Sequence, residues 1–166
     1  MKSKGASFSW GGVIVSIVIA QLAGVIGAFY TMPAVKSWYP TLTQPSINPP
    51  SWVFAPVWII LYTLMGIAAY LVFKTKTTKA NRGWVEWGLT LYVVQLVLNA
   101  WWSILFFGQH RLFEATIEIM ALWIVILVTL IMFAKVKPLA GWLLLPYLGW
   151  VTFATYLSYA YWLLNG

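Results

Sequence analysis

Cysteine and aspartate are absent from this sequence, and histidine occurs once, at His110. Without cysteine there is neither a disulfide framework nor a thiolate metal site, and one histidine cannot assemble a metal cluster alone, so no metal is expected. The acids are Glu86, Glu114 and Glu118. Only Glu118 falls clearly within an apolar run, whereas proton relays and ion pumps need several intramembrane ionisable groups. Paired carboxylates, a Ser/His/Asp set and a glycine-rich phosphate loop are also missing, which argues against hydrolytic chemistry. Charge itself is scarce. Asp, Glu, Lys and Arg make up 8% of the 166 residues, against about 25% in an average soluble protein. So few charges cannot cover a soluble surface, and the chain is expected to meet lipid.

Hydrophobic residues make up 62% of the chain, gathered in runs. A bilayer core needs about 20 helical residues, and five stretches approach that length: 10–30, 52–73, 84–107, 113–134 and 139–164. None alternates polar with apolar as a barrel strand would, and in lipid a lone segment satisfies its backbone only as a helix. The first run follows Lys2 and Lys4 as a signal peptide would, but it is too long for an h-region and lacks a small-x-small cleavage site. It is read as a retained helix. The expectation is an all-α integral membrane protein: one domain over 1–166, a five-transmembrane-helix bundle with a long ordered loop between helices 1 and 2.

The net charge of +7 is assigned to topology rather than to nucleic acid. Lys2, Lys4, Lys74, Lys76, Lys79, Arg82, Lys135 and Lys137 fall on one side of the predicted spans, with only Lys36 and Arg111 on the other. The positive-inside rule then predicts a multi-pass protein of a bacterial cell membrane, N-terminus cytoplasmic and C-terminus outside.

Three connections are short. The first instead spends residues 31–51 outside the spans. The segment WYPTLTQPSINPPSWVFAPVW, Trp38 to Trp58, holds five prolines and no charge. Long loops in compact domains are usually functional, and proline lowers the entropy cost of ordering one. Two readings stand: a semi-rigid lid over an apolar ligand, or a loop that packs on the rim of the bundle. Ala20, Gly24 and Ala28 on helix 1 let backbones approach closely in lipid, either inside the bundle or across a dimer seam.

Of the twelve tryptophans, seven lie near helix ends, where an aromatic belt accounts for them. Trp58, Trp123 and Trp150 lie deeper, and each needs a partner for its indole N–H. Gln95, Asn99 and Trp102 share one face of helix 3, as structural glue or as cavity lining, and Gln95 and Asn99 are candidate partners for Trp150. Pro56 and Pro146 fall close to Trp58 and Trp150 and are expected to kink helices 2 and 5.

The runs WY-x(5)-P-S-x-x-P-P, P-V-W, L-N-x-x-W, F-F-G and L-x-P-Y-x-x-W occur in that order from Ser37 to Trp162. In this the chain resembles the tryptophan-rich sensory protein / translocator protein family, also called the peripheral benzodiazepine receptor family. The resemblance implies a homodimeric five-helix bundle in the lipid bilayer. It implies a pocket under the first loop for porphyrins such as protoporphyrin IX, and for sterols or drug-like apolar ligands in some members, with no covalently bound cofactor. By motif position the pocket residues are Tyr39, Trp58, Asn99, Trp102, Trp150, Ala154 and Leu157. Trp58 and Trp150 match a pair linked in some bacterial members to light-dependent porphyrin degradation. Two departures are visible. Ile47 stands where many members have tryptophan, and no Lys or Arg follows Leu157 and Tyr159 to complete the sterol motif. The functions this implies are a tetrapyrrole sensor or transporter, a light-dependent porphyrin-degrading enzyme, or a regulatory membrane partner.

Overall fold

The computed structural model describes residues 9–166; Lys2 and Lys4, used above for orientation, lie outside them. Five helices are present: α1 Trp10–Ser37, α2 Phe54–Phe73, α3 Arg82–Ser103, α4 Leu112–Val136 and α5 Pro138–Asn165. Four of them are long and apolar enough to cross a bilayer. The fifth, α5, has the 28-residue length of α1, but its many Trp and Tyr residues lower its hydropathy. Ser9 caps α1 by accepting from the Gly12 N–H at 3.3 Å. Pro138 opens α5 at a position whose missing N–H costs no helical bond.

Three boundaries differ from expectation, each for a physical reason. Helix α1 runs to Ser37 and carries Pro33 inside it. Leaving the helix in an apolar medium would strand backbone groups, and the hydroxyls of Thr31 and Ser37 add bonds to the carbonyls of Gly27 and Pro33, each at 2.9 Å. The first loop is therefore shorter than predicted, covering 38–50. Pro56 does not interrupt α2. It is the third residue of that helix, entered from a 3₁₀ turn at Ser51–Val53, where the N–H has no intrahelical acceptor to lose. Pro146 does lie within α5. Finally, α3 passes into a π turn, Ile104–Gly108, before His110 reverses the chain with φ 58°.

Round the bundle the helices neighbour one another in the order α1, α2, α5, α4, α3. The main core joins α2, α4 and α5 through Met65, Ile126, Phe133, Leu144 and Tyr147, all fully buried. A second cluster closes the loop end around Tyr39, Leu105, Phe106 and Tyr161. Large apolar residues such as Ile14, Val18, Ile117, Ile124 and Ile131 face outward, as lipid-facing positions do.

The small residues of α1 pack inside the bundle. Ala20 and Ala23 are buried, Gly24 meets the Tyr62 ring and Gly27 meets Ser103. From the end away from the first loop toward the cavity, α1 is stitched to α2 by polar bonds: the Ser9 N–H to the Tyr70 hydroxyl at 2.7 Å, the Ser16 hydroxyl to the Gly66 carbonyl at 2.8 Å, and the Gln21 amide to the Ile59 carbonyl at 3.0 Å. Such bonds and close backbone approach hold helices together where lipid offers no hydrophobic drive. Gly66 is the tightest point, since a Cβ there would sit 2.5 Å from the Ile17 Cα.

This predicts that Gly66→Ala, which meets backbone rather than a movable side chain, destabilises the bundle by about 1–3 kcal/mol. Gly149→Ala, where a Cβ meets nothing within 4 Å, is expected to be neutral or to stabilise by up to about 1 kcal/mol. Thermal unfolding of both variants in detergent checks the pair.

Candidate functional site: a cavity beneath the first loop

A cavity of about 500 Å³ lies between α1 and α5, with α2 and α3 as its side walls. All seven residues named from the sequence line it: Tyr39 from the loop, Trp58 from α2, Asn99 and Trp102 from α3, and Trp150, Ala154 and Leu157 from α5. Three features of the chain bring them together. Small residues on α1 leave room opposite α5. The motif residues of α3 and α5 recur at helical spacing. The loop folds back over the helix ends.

The loop is fastened at both sides. Thr43 and Asn165 bond reciprocally, the Thr43 N–H donating to Asn165 Oδ1 at 2.8 Å and Asn165 Nδ2 donating to the Thr43 carbonyl at 3.0 Å. The Tyr161 hydroxyl donates to that of Tyr39 at 2.7 Å, and Tyr39 donates on to Asn48 Oδ1 at 2.9 Å. Trp38 stacks on His110, with ring centroids 3.9 Å apart, which joins the start of the loop to the corner between α3 and α4.

At the deep end Asn99 organises the wall. Its Oδ1 accepts from the Tyr62 hydroxyl at 2.5 Å, and its Nδ2 donates to the Tyr147 hydroxyl at 2.9 Å. Trp58 stacks on Tyr62 at 5.4 Å and meets Tyr147 edge-on at 6.2 Å. Trp150 packs against Phe54 and Phe153 at 5.9 and 5.8 Å. The result is an apolar, aromatic chamber whose deep polar groups are bonded to one another. It offers flat surface for stacking and holds no nucleophile paired with a base.

The expected partners of Trp150 are corrected here. Asn99 is engaged by the two tyrosines, and Gln95 is fully buried away from the cavity with no partner for its amide among the described residues. Of Gln95, Asn99 and Trp102 on α3, the latter two reach the chamber, and Ser103 lines it beside them. Trp123 has its own partner, donating to the Thr152 hydroxyl on α5 at 2.8 Å. The carboxylate oxygens of half-buried Glu118 likewise have no partner among the described residues and lie off the lining.

The sequence reading missed the α1 wall, notably Ala28, Thr31 and Lys36, and on other helices Tyr62 and Tyr161. Helical spacing could have found the tyrosines, since Tyr62 is one turn beyond Trp58 and Tyr161 two turns beyond Ala154. The lysine was counted only as a topological charge.

Asn99→Leu should strand two buried hydroxyls, at about 1–3 kcal/mol each. Adding Tyr62→Phe and Tyr147→Phe to it should recover much of that loss. Melting temperatures of the single and triple variants test this; an equal or larger loss in the triple variant contradicts the network.

Comparison with known proteins places the chain. The sequence profile of the TspO/MBR family matches residues 16–163. A tryptophan-rich protein TspO from Chlorobaculum tepidum is 42% identical over 149 residues, covering 90% of this chain and 92% of its own. The human translocator protein is 39% identical, with 86% and 83% covered. A tryptophan-rich sensory protein from Cereibacter sphaeroides is 36% identical, with 74% and 73% covered. Together with its apolar helices, these matches make the chain an integral membrane protein that belongs to the TspO/MBR family.

Proposed function

We propose that this protein binds tetrapyrroles and other apolar ligands within the membrane, as a sensor or transporter, in a bundle whose five helices all span. The observation that carries this reading is the aromatic cavity of about 500 Å³ under the fastened loop, within the range of about 300–1,000 Å³ usual for small-molecule sites. Its walls supply stacking surface for a flat macrocycle, and its deep polar groups leave nothing unbonded for a charged ligand to satisfy. The loop acts as a lid. Homodimerisation, as in the resemblance above, belongs to the same proposal.

A second reading is light-dependent degradation of a bound porphyrin. It is favoured by one observation: Trp58 and Trp150, two of the three deep tryptophans that a belt does not explain, line the same chamber. Titration of the purified protein with protoporphyrin IX, followed by absorbance in light and in darkness, separates the two. Saturable quenching without a product supports binding, a new bilin-like band that forms only in light supports the enzyme, and no quenching defeats both.

Within that assay Trp150→Phe loses roughly 40 Å² of ring surface, or about 1 kcal/mol, so porphyrin affinity should fall by about three- to tenfold. Trp87→Phe alters an outward-facing ring and should bind as wild type does. Equal behaviour of the two variants would refute the pocket assignment.

For orientation we propose a cytoplasmic N-terminus in a bacterial cell membrane. The described bases Lys74, Lys76, Lys79, Arg82, Lys135 and Lys137 gather at the end of the bundle opposite the first loop. Reporters fused after Gly166 should be active only on the external side, and activity confined to the cytoplasm would overturn the assignment.

A further inference from the structure

Several polar groups of the cavity are engaged within the protein, while the buried Trp102 indole N–H has no partner among the described residues. Asn99 and Tyr62 bond to each other, Tyr39 and Tyr161 bond at the loop end, the Gln21 amide bonds to α2, and Thr31 bonds to its own helix. One lining residue differs from the rest in carrying a charge. Among the described residues Lys36, in the last turn of α1, is the only charged one in the lining, and its ammonium has no ion pair among them. The other base at this end, Arg111, is held by Glu114 at 2.7 Å. A lysine at a helix C-terminus is favoured by the helix dipole, which accounts for a base in the last turn but not for one that lines the chamber.

We propose that Lys36 anchors a carboxylate of the cavity's ligand. The preferred ligand is then an apolar body with an acidic edge, seated with that edge toward the loop and its apolar edge toward Asn99. This rests on the tetrapyrrole reading above and adds polarity and orientation to it. Lys36 is an exposed residue at the margin of an apolar lining, so a ligand carboxylate held beside that lining gains a charge-assisted hydrogen bond there. The deep end is sealed by the Tyr62–Asn99–Tyr147 bonds and offers such a group no cation.

The test compares protoporphyrin IX with its dimethyl ester, which keeps the macrocycle and removes both carboxylates. Both are titrated by tryptophan fluorescence in lipid-free maltoside micelles against wild type, Lys36→Gln, Lys36→Arg and Arg111→Gln. Melting temperatures report whether each variant is folded. Wild type should prefer the acid by about 3- to 30-fold, the effect of one partly exposed charged hydrogen bond. Lys36→Gln should bring acid affinity down to that of the ester and leave the ester unchanged, while Lys36→Arg and Arg111→Gln keep the preference. Equal binding of acid and ester by wild type overturns the anchor. So does a Lys36→Gln variant that weakens both compounds alike, which marks a structural role. A preference abolished by adding anionic phospholipid, with ester affinity intact, marks a lipid-phosphate site and also overturns it. If neither compound binds wild type, the tetrapyrrole reading falls and the anchor with it.

Discussion

The hydrogen bonds that Asn99 makes to Tyr62 and Tyr147 set the terms for the rest of the bundle. An amide in an apolar medium must find its partners within the chain. Here it finds them on two other helices, so that α2, α3 and α5 are fixed in depth and rotation about one point. The rings of both tyrosines then become wall, and Trp58 stacks on one and meets the edge of the other. The cavity is the space that remains when α1, stitched to α2 at the far end, runs past this wall toward the loop.

That arrangement explains why the chamber is aromatic rather than aliphatic. Tyrosine supplies apolar area with a hydroxyl at its tip, so one residue type can both line the space and tie the helices around it. The loop end repeats the device, with Tyr39 and Tyr161 bonding to each other beside the chamber while their rings pack at 5.3 Å. Aliphatic residues would fill the same surface without fixing the helices that carry it.

Much of this was legible in the sequence because its signals were periodic or compositional. Long apolar runs gave the helices, and Trp58 and Trp150 stood out because a headgroup belt does not reach them. What was not legible depended on neighbours. The end of α1 lies beyond residue 30, where the long apolar run stops, because an apolar medium leaves the backbone no better choice than to remain helical through Pro33. Pro56 was misread as a kink because its effect depends on where the helix begins, a matter of one turn. Gln95 shares a helical face with Asn99, but a face is broader than the strip of it that meets the cavity. The α1 wall went unseen because small residues announce close approach without saying to what.

The ties that fasten the loop join residues far apart along the chain. Thr43 bonds to Asn165, and Tyr39 to Tyr161, each across 122 positions. Neither bond can form until α5 has been synthesised and has entered the membrane, whereas the α1–α2 stitches need only the first half of the chain. Assembly therefore has a direction. The hinge between α1 and α2 is available early, and the roof of the chamber closes last, so a nascent chain passes through a stage in which the chamber's walls are forming but its entrance is still open.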